Sequence, residues 1–190
     1  IKEVSELPKT IFEKKVNKLR EKTQGKLIIK EYPTASAHVG HFRSLLSELK
    51  LKKNFIPDII FIDYLNICAS SRYRTAVNVN SYNYVKAIAE ELRGLAVEFD
   101  VPIFSATQTT RSGFTSTDPD LTDTSESFGL PATADLMIAL ISSDELEELG
   151  QIMVKQLKNR YNDPTYNKRF VVGIDRPKTV SYTHLRAHET

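Results

Sequence analysis

Residues 55–68 read FIPDIIFIDYLNIC, and the run from Asp58 to Asp63 decides the fold. Four consecutive apolar side chains closed by an acid show no alternation, the pattern of a strand buried on both faces of a parallel sheet. Residues 68–80, CASSRYRTAVNVN, follow as a polar loop with two arginines. Ser81 then opens a long helix that turns Val85, Ile88, Leu92, Leu95 and Phe99 inward. Val101–Thr107, VPIFSAT, is the next buried strand. Strand, loop, helix, strand is the unit from which parallel sheets are wound, with helices on both faces and ligands beyond the carboxyl ends of the strands.

Working outward, Pro8 stands near the start of an amphipathic helix with Phe12, Val16 and Leu19 on one face and Gly25 as its stop. LIIKEY (27–32) reads as a short strand closed by Pro33. Ser36 reads as the cap of a helix carrying Val39, Phe42, Leu46 and Leu49. Beyond Gln108 a Ser/Thr/Asp-rich stretch runs to Ser127 without periodicity, a length that marks a functional or disordered loop. DLMIALIS (135–142), QIMVKQLK (151–158) and KRFVVGID (168–175) read as three strands, the last two joined as a hairpin through NRYNDPTYN. The fold class is α/β: a mostly parallel sheet flanked by helices, with a carboxyl-terminal β-hairpin.

Composition narrows the class further. The chain has 190 residues, 26 Lys plus Arg against 24 Asp plus Glu, and 41% hydrophobic residues, an ordinary soluble domain able to bury roughly 70% of its unfolded surface. Collagen, coiled coil, disordered tail and membrane protein are excluded. One cysteine, Cys68, excludes a disulfide scaffold and a Cys-rich zinc module, and fits a reducing compartment. No apolar run spans a bilayer and the charged amino terminus is no signal peptide, so the expected location is cytoplasmic. Charge is uneven: residues 1–30 carry nine Lys/Arg against four acids, 109–150 one Arg against nine acids, and 151–178 seven Lys/Arg against two. Such patches suit a nucleic-acid or nucleotide partner or a charged subunit interface, and solvated faces explain them equally well.

The residues that could carry chemistry stand at strand ends. A carboxylate at Asp63 can hold hydrated Mg²⁺ against phosphates, or can simply cap a loop. The Gln108 amide, ending the next buried strand, can orient a water or sense a phosphate oxygen, or satisfy loop backbone. Lys158 and Arg160, two apart on a strand, point to one face and can touch phosphates across a subunit boundary; ordinary edge charges are the alternative. Arg72, Arg74 and Arg111 follow the two central strands, where guanidinium groups can meet a nucleic-acid backbone or remain plain surface. His38 and His41 lack a third ligand at metal spacing and read as surface or packing residues.

Taken together, FIPDIIFIDYLNIC, VPIFSATQTTRSGF, SESFGLPATADLMIALI and MVKQLKNRY, in that order, resemble the carboxyl-terminal motor domain of DnaB-family replicative helicases, most closely the T-even phage branch. The resemblance covers about residues 1–175. It implies a RecA-like ATPase core, a homohexameric ring, and ATP hydrolysis with Mg²⁺ driving translocation on single-stranded DNA, beside a primase and a helicase loader, in the host cytoplasm if the source is viral. By the same resemblance Asp63 matches the Walker B aspartate, Gln108 the γ-phosphate-sensing glutamine, and Lys158 with Arg160 the Lys-x-Arg that reaches the neighbouring subunit's nucleotide as an arginine finger. The loops 68–80 and 109–128 fall where the family binds DNA, bringing in Arg72, Arg74, Arg111, Ser125 and Glu126. Many relatives have Arg-Glu-Ser-Gly where this chain has Ser125-Glu126-Ser127-Phe128.

A GxxxxGK(S/T) loop, which would cradle the β- and γ-phosphates, occurs nowhere in the 190 residues. The expectation is an amino-truncated motor domain, 1–176, without measurable ATPase on its own, followed by a non-native tail at 177–190. Two rivals stay open: a RecA-like recombinase, which would share the strand-end Asp and Gln without KQLKNRY, and a non-catalytic degenerate ATPase module.

Overall fold

The computed structural model describes residues 8–73, 80–108, 129–163, 165–176 and 180–182. The chain divides into two compact units, the larger being Tyr32–Ile141 with Lys155–Arg169.

The larger unit begins with α2 (Val39–Lys53), α1 being the Lys9–Lys22 helix of the smaller unit. His38 caps α2: its Nδ1 accepts from the Gly40 N–H at 3.0 Å, while its own N–H donates to His41 Nδ1 at 3.2 Å. A Cβ at Gly40 would lie 2.7 Å from His38 Cε1, so glycine is what lets the imidazole fold over the helix start. Ser36, expected to be the cap, instead donates its hydroxyl to Pro33 O. The capping role passed to an imidazole, whose ring nitrogen accepts from backbone as a serine oxygen does. α2 ends on Asn54 in the left-handed region, with Lys50, Lys52 and Lys53 set against the carbonyl end of the helix.

β1 (Ile60–Ile62) and β2 (Ile103–Ser105) pair in parallel, Ile60 opposite Ile103 and Ile62 opposite Ser105. Their crossover is α3 (Ser81–Phe99), capped by Asn80 and closed by Asp100 at φ 50°. The buried side chains of α3, Val85, Ile88, Leu92 and Leu95, recur at helical spacing, and Leu95 is completely buried. Leu65, Cys68 and Leu130 pack on its upper part, Val39 and Leu46 on its lower part, and Phe42 touches both groups. Leu130 belongs to a short helix, α4 (Gly129–Thr133), which leads into β3 (Leu136–Ile141).

The smaller unit holds α1, a short helix α5 (Asp144–Glu148), the amino-terminal part of β4 (Gln151–Asn159), most of β5 (Arg169–Asp175) and β6 (Val180–Tyr182). β4 and β5 form the expected hairpin: Gln156 N–H donates to Lys168 O, and Ile174 N–H donates to Gly150 O. β6 pairs antiparallel with β5 within the segment set aside as a tail. Pro8 precedes α1 as expected, but Phe12, Val16 and Leu19 on its apolar stripe remain 42–66% exposed.

Two strand readings change. Residues 27–32 form no strand, and Leu27 and Ile29 are each 84% exposed. An apolar triplet makes a strand when a neighbour offers its ladder, and none among the described residues does. β1 is three residues long with Phe61 71% exposed, so it is not covered on both faces among the described residues. α4 and α5, too short to show periodicity, were not foreseen. No described helix is long and apolar enough to cross a membrane.

Candidate functional site at the strand ends

Asp63 and Gln108 follow adjacent parallel strands, and side-chain hydrogen bonds lace those two strand ends together. Ser105 Oγ donates to Ile62 O at 2.8 Å, and Leu65 N–H donates to Ala106 O at 3.0 Å. Thr107 Oγ1 donates to Asn66 Oδ1 at 2.8 Å. Gln108 Nε2 lies 3.4 Å from Tyr64 Oη, a long hydrogen bond to the residue next to Asp63. The Asp63–Tyr64 peptide is cis, and a single 3₁₀ turn, Leu65–Ile67, anchors the departing chain through buried Leu65. The Asp63 carboxylate is exposed and has no partner among the described residues. At the same strand ends the Tyr64 phenol and the Gln108 amide meet each other, and the Thr107 hydroxyl donates to Asn66. No group of three or more His, Cys, Asp or Glu could hold a metal ion among the described residues. One carboxylate shared with waters and phosphate is a normal protein contribution to Mg²⁺, so the residues fit that ion.

Lys158 stands at the end of β4 and Arg160 directly follows the strand, and both are engaged by one short segment. Lys158 Nζ donates to Pro131 O of α4. Arg160 N–H donates to Asp135 O at 2.9 Å, and its Nη1 lies 2.8 Å from Asp135 Oδ1. That oxygen is buried and accepts no aligned hydrogen bond, so the Arg160 contact is charge pairing at close range with imperfect direction. The other oxygen, Oδ2, accepts from Arg93 Nη1 of α3 at 2.9 Å, and the same nitrogen donates to Thr133 O at 2.6 Å. Between them, Asn159 Oδ1 accepts from the N–H groups of Tyr161 and Asn162 and starts the turn. Among the described residues, no hydrogen bond or ion pair joins Lys158 or Arg160 to Asp63 or Gln108.

The start of the 68–80 loop is tied to α3. Buried Glu91 accepts from Ser70 Oγ at 2.6 Å, from Ser71 N–H and Oγ at 2.9 Å each, and from Arg72 N–H at 3.3 Å. Burial pushes the Glu91 carboxyl up, but these hydrogen bonds outweigh it and hold the group below its ordinary value. Arg72 Nη1 pairs with Glu90 at 2.6 Å. Burial alone raises the Cys68 thiol, which suits a packing role. Arg74, Arg111, Ser125 and Glu126 lie outside the described residues.

Sequence reasoning passed over Asp135, Arg93, Glu91 and Tyr64. Asp135 read only as the first residue of a strand, and Arg93 drew no reading. The one available signal was an acid directly before an apolar strand run, which is common and unspecific.

A family model described as DnaB-like helicase C terminal domain matches residues 3–174. A DnaB-like replicative helicase of Enterobacteria phage T4 is 49% identical over 166 residues, covering 87% of this chain and 35% of that protein. The chain therefore spans about a third of that relative's length. Of solved structures, the ATPase domain of G40P aligns with a TM-score of 0.64 and 20% identity over 78% of this chain and 52% of that one. A DnaB-like replicative helicase, described with its interactions with primase, aligns with a TM-score of 0.59 and 22% identity over 74% and 34%. Those likenesses establish the RecA-like ATPase fold. With the family match running through β1, β2 and the β4–β5 hairpin, the chain belongs to the DnaB-like helicase C-terminal domain family.

Proposed function

We propose that this chain is part of the motor domain of an ATP-dependent replicative DNA helicase, which works as a homohexamer that translocates on single-stranded DNA and unwinds duplex. The observation that carries the reading, within a chain of this family, is the placement of Asp63 and Gln108 at the ends of adjacent parallel strands, where α/β sheets bind ligands.

In this reading Asp63 holds hydrated Mg²⁺, and the ion, when bound, neutralises charge on the β- and γ-phosphate oxygens. Gln108 meets the γ-phosphate or the attacking water. Its long hydrogen bond to Tyr64 turns that amide toward the Asp63 side of the site. Gln108 also opens directly into the 109–128 loop, a short covalent path from phosphate to DNA. Lys158 and Arg160 reach the nucleotide of the adjacent subunit and balance charge that develops during phosphoryl transfer. The loops 68–80 and 109–128, with Arg72, Arg74, Arg111, Ser125 and Glu126, face the DNA. No GxxxxGK(S/T) cradle for the phosphates is among these 190 residues. Primase and a loader complete the set of partners.

The test uses the full-length protein. Asp63→Asn should lower Mg²⁺-dependent ATP hydrolysis by about a hundredfold or more with the ring intact. Gln108→Ala should uncouple hydrolysis from stimulation by single-stranded DNA. Retention of full ATPase by Asp63→Asn would overturn the reading. Strand exchange without fork unwinding by the wild-type protein would favour the recombinase.

A further inference from the structure

We propose that Asp135 is a positioning residue for Arg160: it seats the finger within its own subunit, against α3, and so sets the place from which Arg160 reaches its neighbour. The inference rests on the trans role of Arg160 proposed above and adds the group that holds it ready.

Three contacts fasten the end of β4 to the segment 131–135. They are Lys158 Nζ on Pro131 O, Arg160 N–H on Asp135 O, and the Arg160 guanidinium on Asp135 Oδ1. The segment itself is firmly placed. Leu130 lies in the apolar cluster with Val85, Ile88 and Leu92 of α3, and Arg93, one residue beyond Leu92, grips both Thr133 O and Asp135 Oδ2. A carboxylate fixed on one side by Arg93 can orient a second guanidinium on its other side. The Arg160 side chain is 51% exposed there, so it is oriented without being locked. The pair is half-exposed on the Arg160 side and buried at Asp135 Oδ1, so it contributes to stability as well as to placement. Placement of a charge that acts in a transition state has far more leverage, since an error of about 1 Å can cost on the order of a hundredfold in rate.

The experiment compares Arg160→Ala, Asp135→Ala, Asp135→Asn and the double variant Asp135→Ala/Arg160→Ala in the full-length ring, reading kcat, KM for ATP and thermal midpoint. Asp135→Ala should lower kcat about tenfold with KM for ATP nearly unchanged, and the double variant should be no slower than Arg160→Ala. Rings mixed from Asp135→Ala and Asp63→Asn subunits should hydrolyse faster than either parent, because the Asp63→Asn subunits offer correctly seated fingers to intact sites. Should Asp135→Ala fail to fold, Asp135→Asn, of equal size, carries the same test. A normal kcat in the Asp135 variants beside a dead Arg160→Ala overturns this inference and leaves the proposed function standing. So does a further loss in the double variant, or no gain in mixed rings. An active Arg160→Ala overturns the finger reading itself.

Discussion

Glu91 is the most heavily bonded side chain described here, a buried carboxylate whose two oxygens accept from Ser70, Ser71 and Arg72. Hydrogen bonds to a charged group contribute more than neutral ones, and removing the acceptor strands the donors. Glu91→Ala should therefore lower unfolding free energy by about 2–3 kcal/mol. The pH dependence has a definite sign. The folded carboxyl lies below its ordinary value, so the unfolded chain binds the proton first as pH falls. The contribution is fully present above the unfolded value, roughly 4.3, and drains away as pH drops through the folded one. Denaturation midpoints of wild type and Glu91→Gln should differ most at about pH 7 and draw together as pH falls through the folded value; a gap that widens on acidification would refute the assignment.

The β4–β5 hairpin and α3 offer a matched pair of tests among the elements. Gly150 enters β4 at φ +60°, and a Cβ there would sit 3.4 Å from Ile174 O. Gly150→Ala should cost about 1 kcal/mol or more. Gly94 lies on the exposed side of α3 with nothing within 4 Å of an added Cβ, so Gly94→Ala should stabilise by about 0.5–1 kcal/mol. Thermal midpoints moving in opposite directions would check both. The elements differ in how plainly the sequence announced them, for a physical reason. α3 was legible because Val85, Ile88, Leu92 and Leu95 repeat within a helix of nineteen residues. The hairpin was legible because a turn-rich stretch separates two apolar runs. LIIKEY failed because a strand needs a partner as well as a propensity, and partners are set far away in sequence. The same limit hid the Asp135 arrangement: Arg93, Asp135 and Arg160 are 42 and 25 residues apart, and no local pattern links them. Asp63 and Gln108 were foreseen as neighbours because each ends its own apolar run, and strand order did the rest.

For the whole molecule, two expectations concern the chain as it stands. Without a GxxxxGK(S/T) loop among its 190 residues, it should release no phosphate from ATP with Mg²⁺ in a steady-state assay, since phosphoryl transfer depends on placing the phosphates. It should also self-associate. Phe61 and Phe104 stack with ring centroids 5.5 Å apart while 71% and 48% exposed, and Leu136, Ile138 and Leu140 of β3 are 41–69% exposed. Apolar sheet surface of this kind seeks cover. Phe61→Lys with Phe104→Lys should shift the chain toward monomer in sedimentation velocity, and an unchanged distribution would place the sticky surface elsewhere. The seat of Arg160, finally, bears on timing. A half-exposed side chain changes rotamer in picoseconds to nanoseconds, whereas enzymes commonly turn over about 1–1,000 times per second. Arg160 can sample its rotamers very many times within one catalytic cycle, and Asp135 narrows that sampling. The rate of the ring then follows the share of time the finger spends correctly aimed, which the seat raises by excluding other directions.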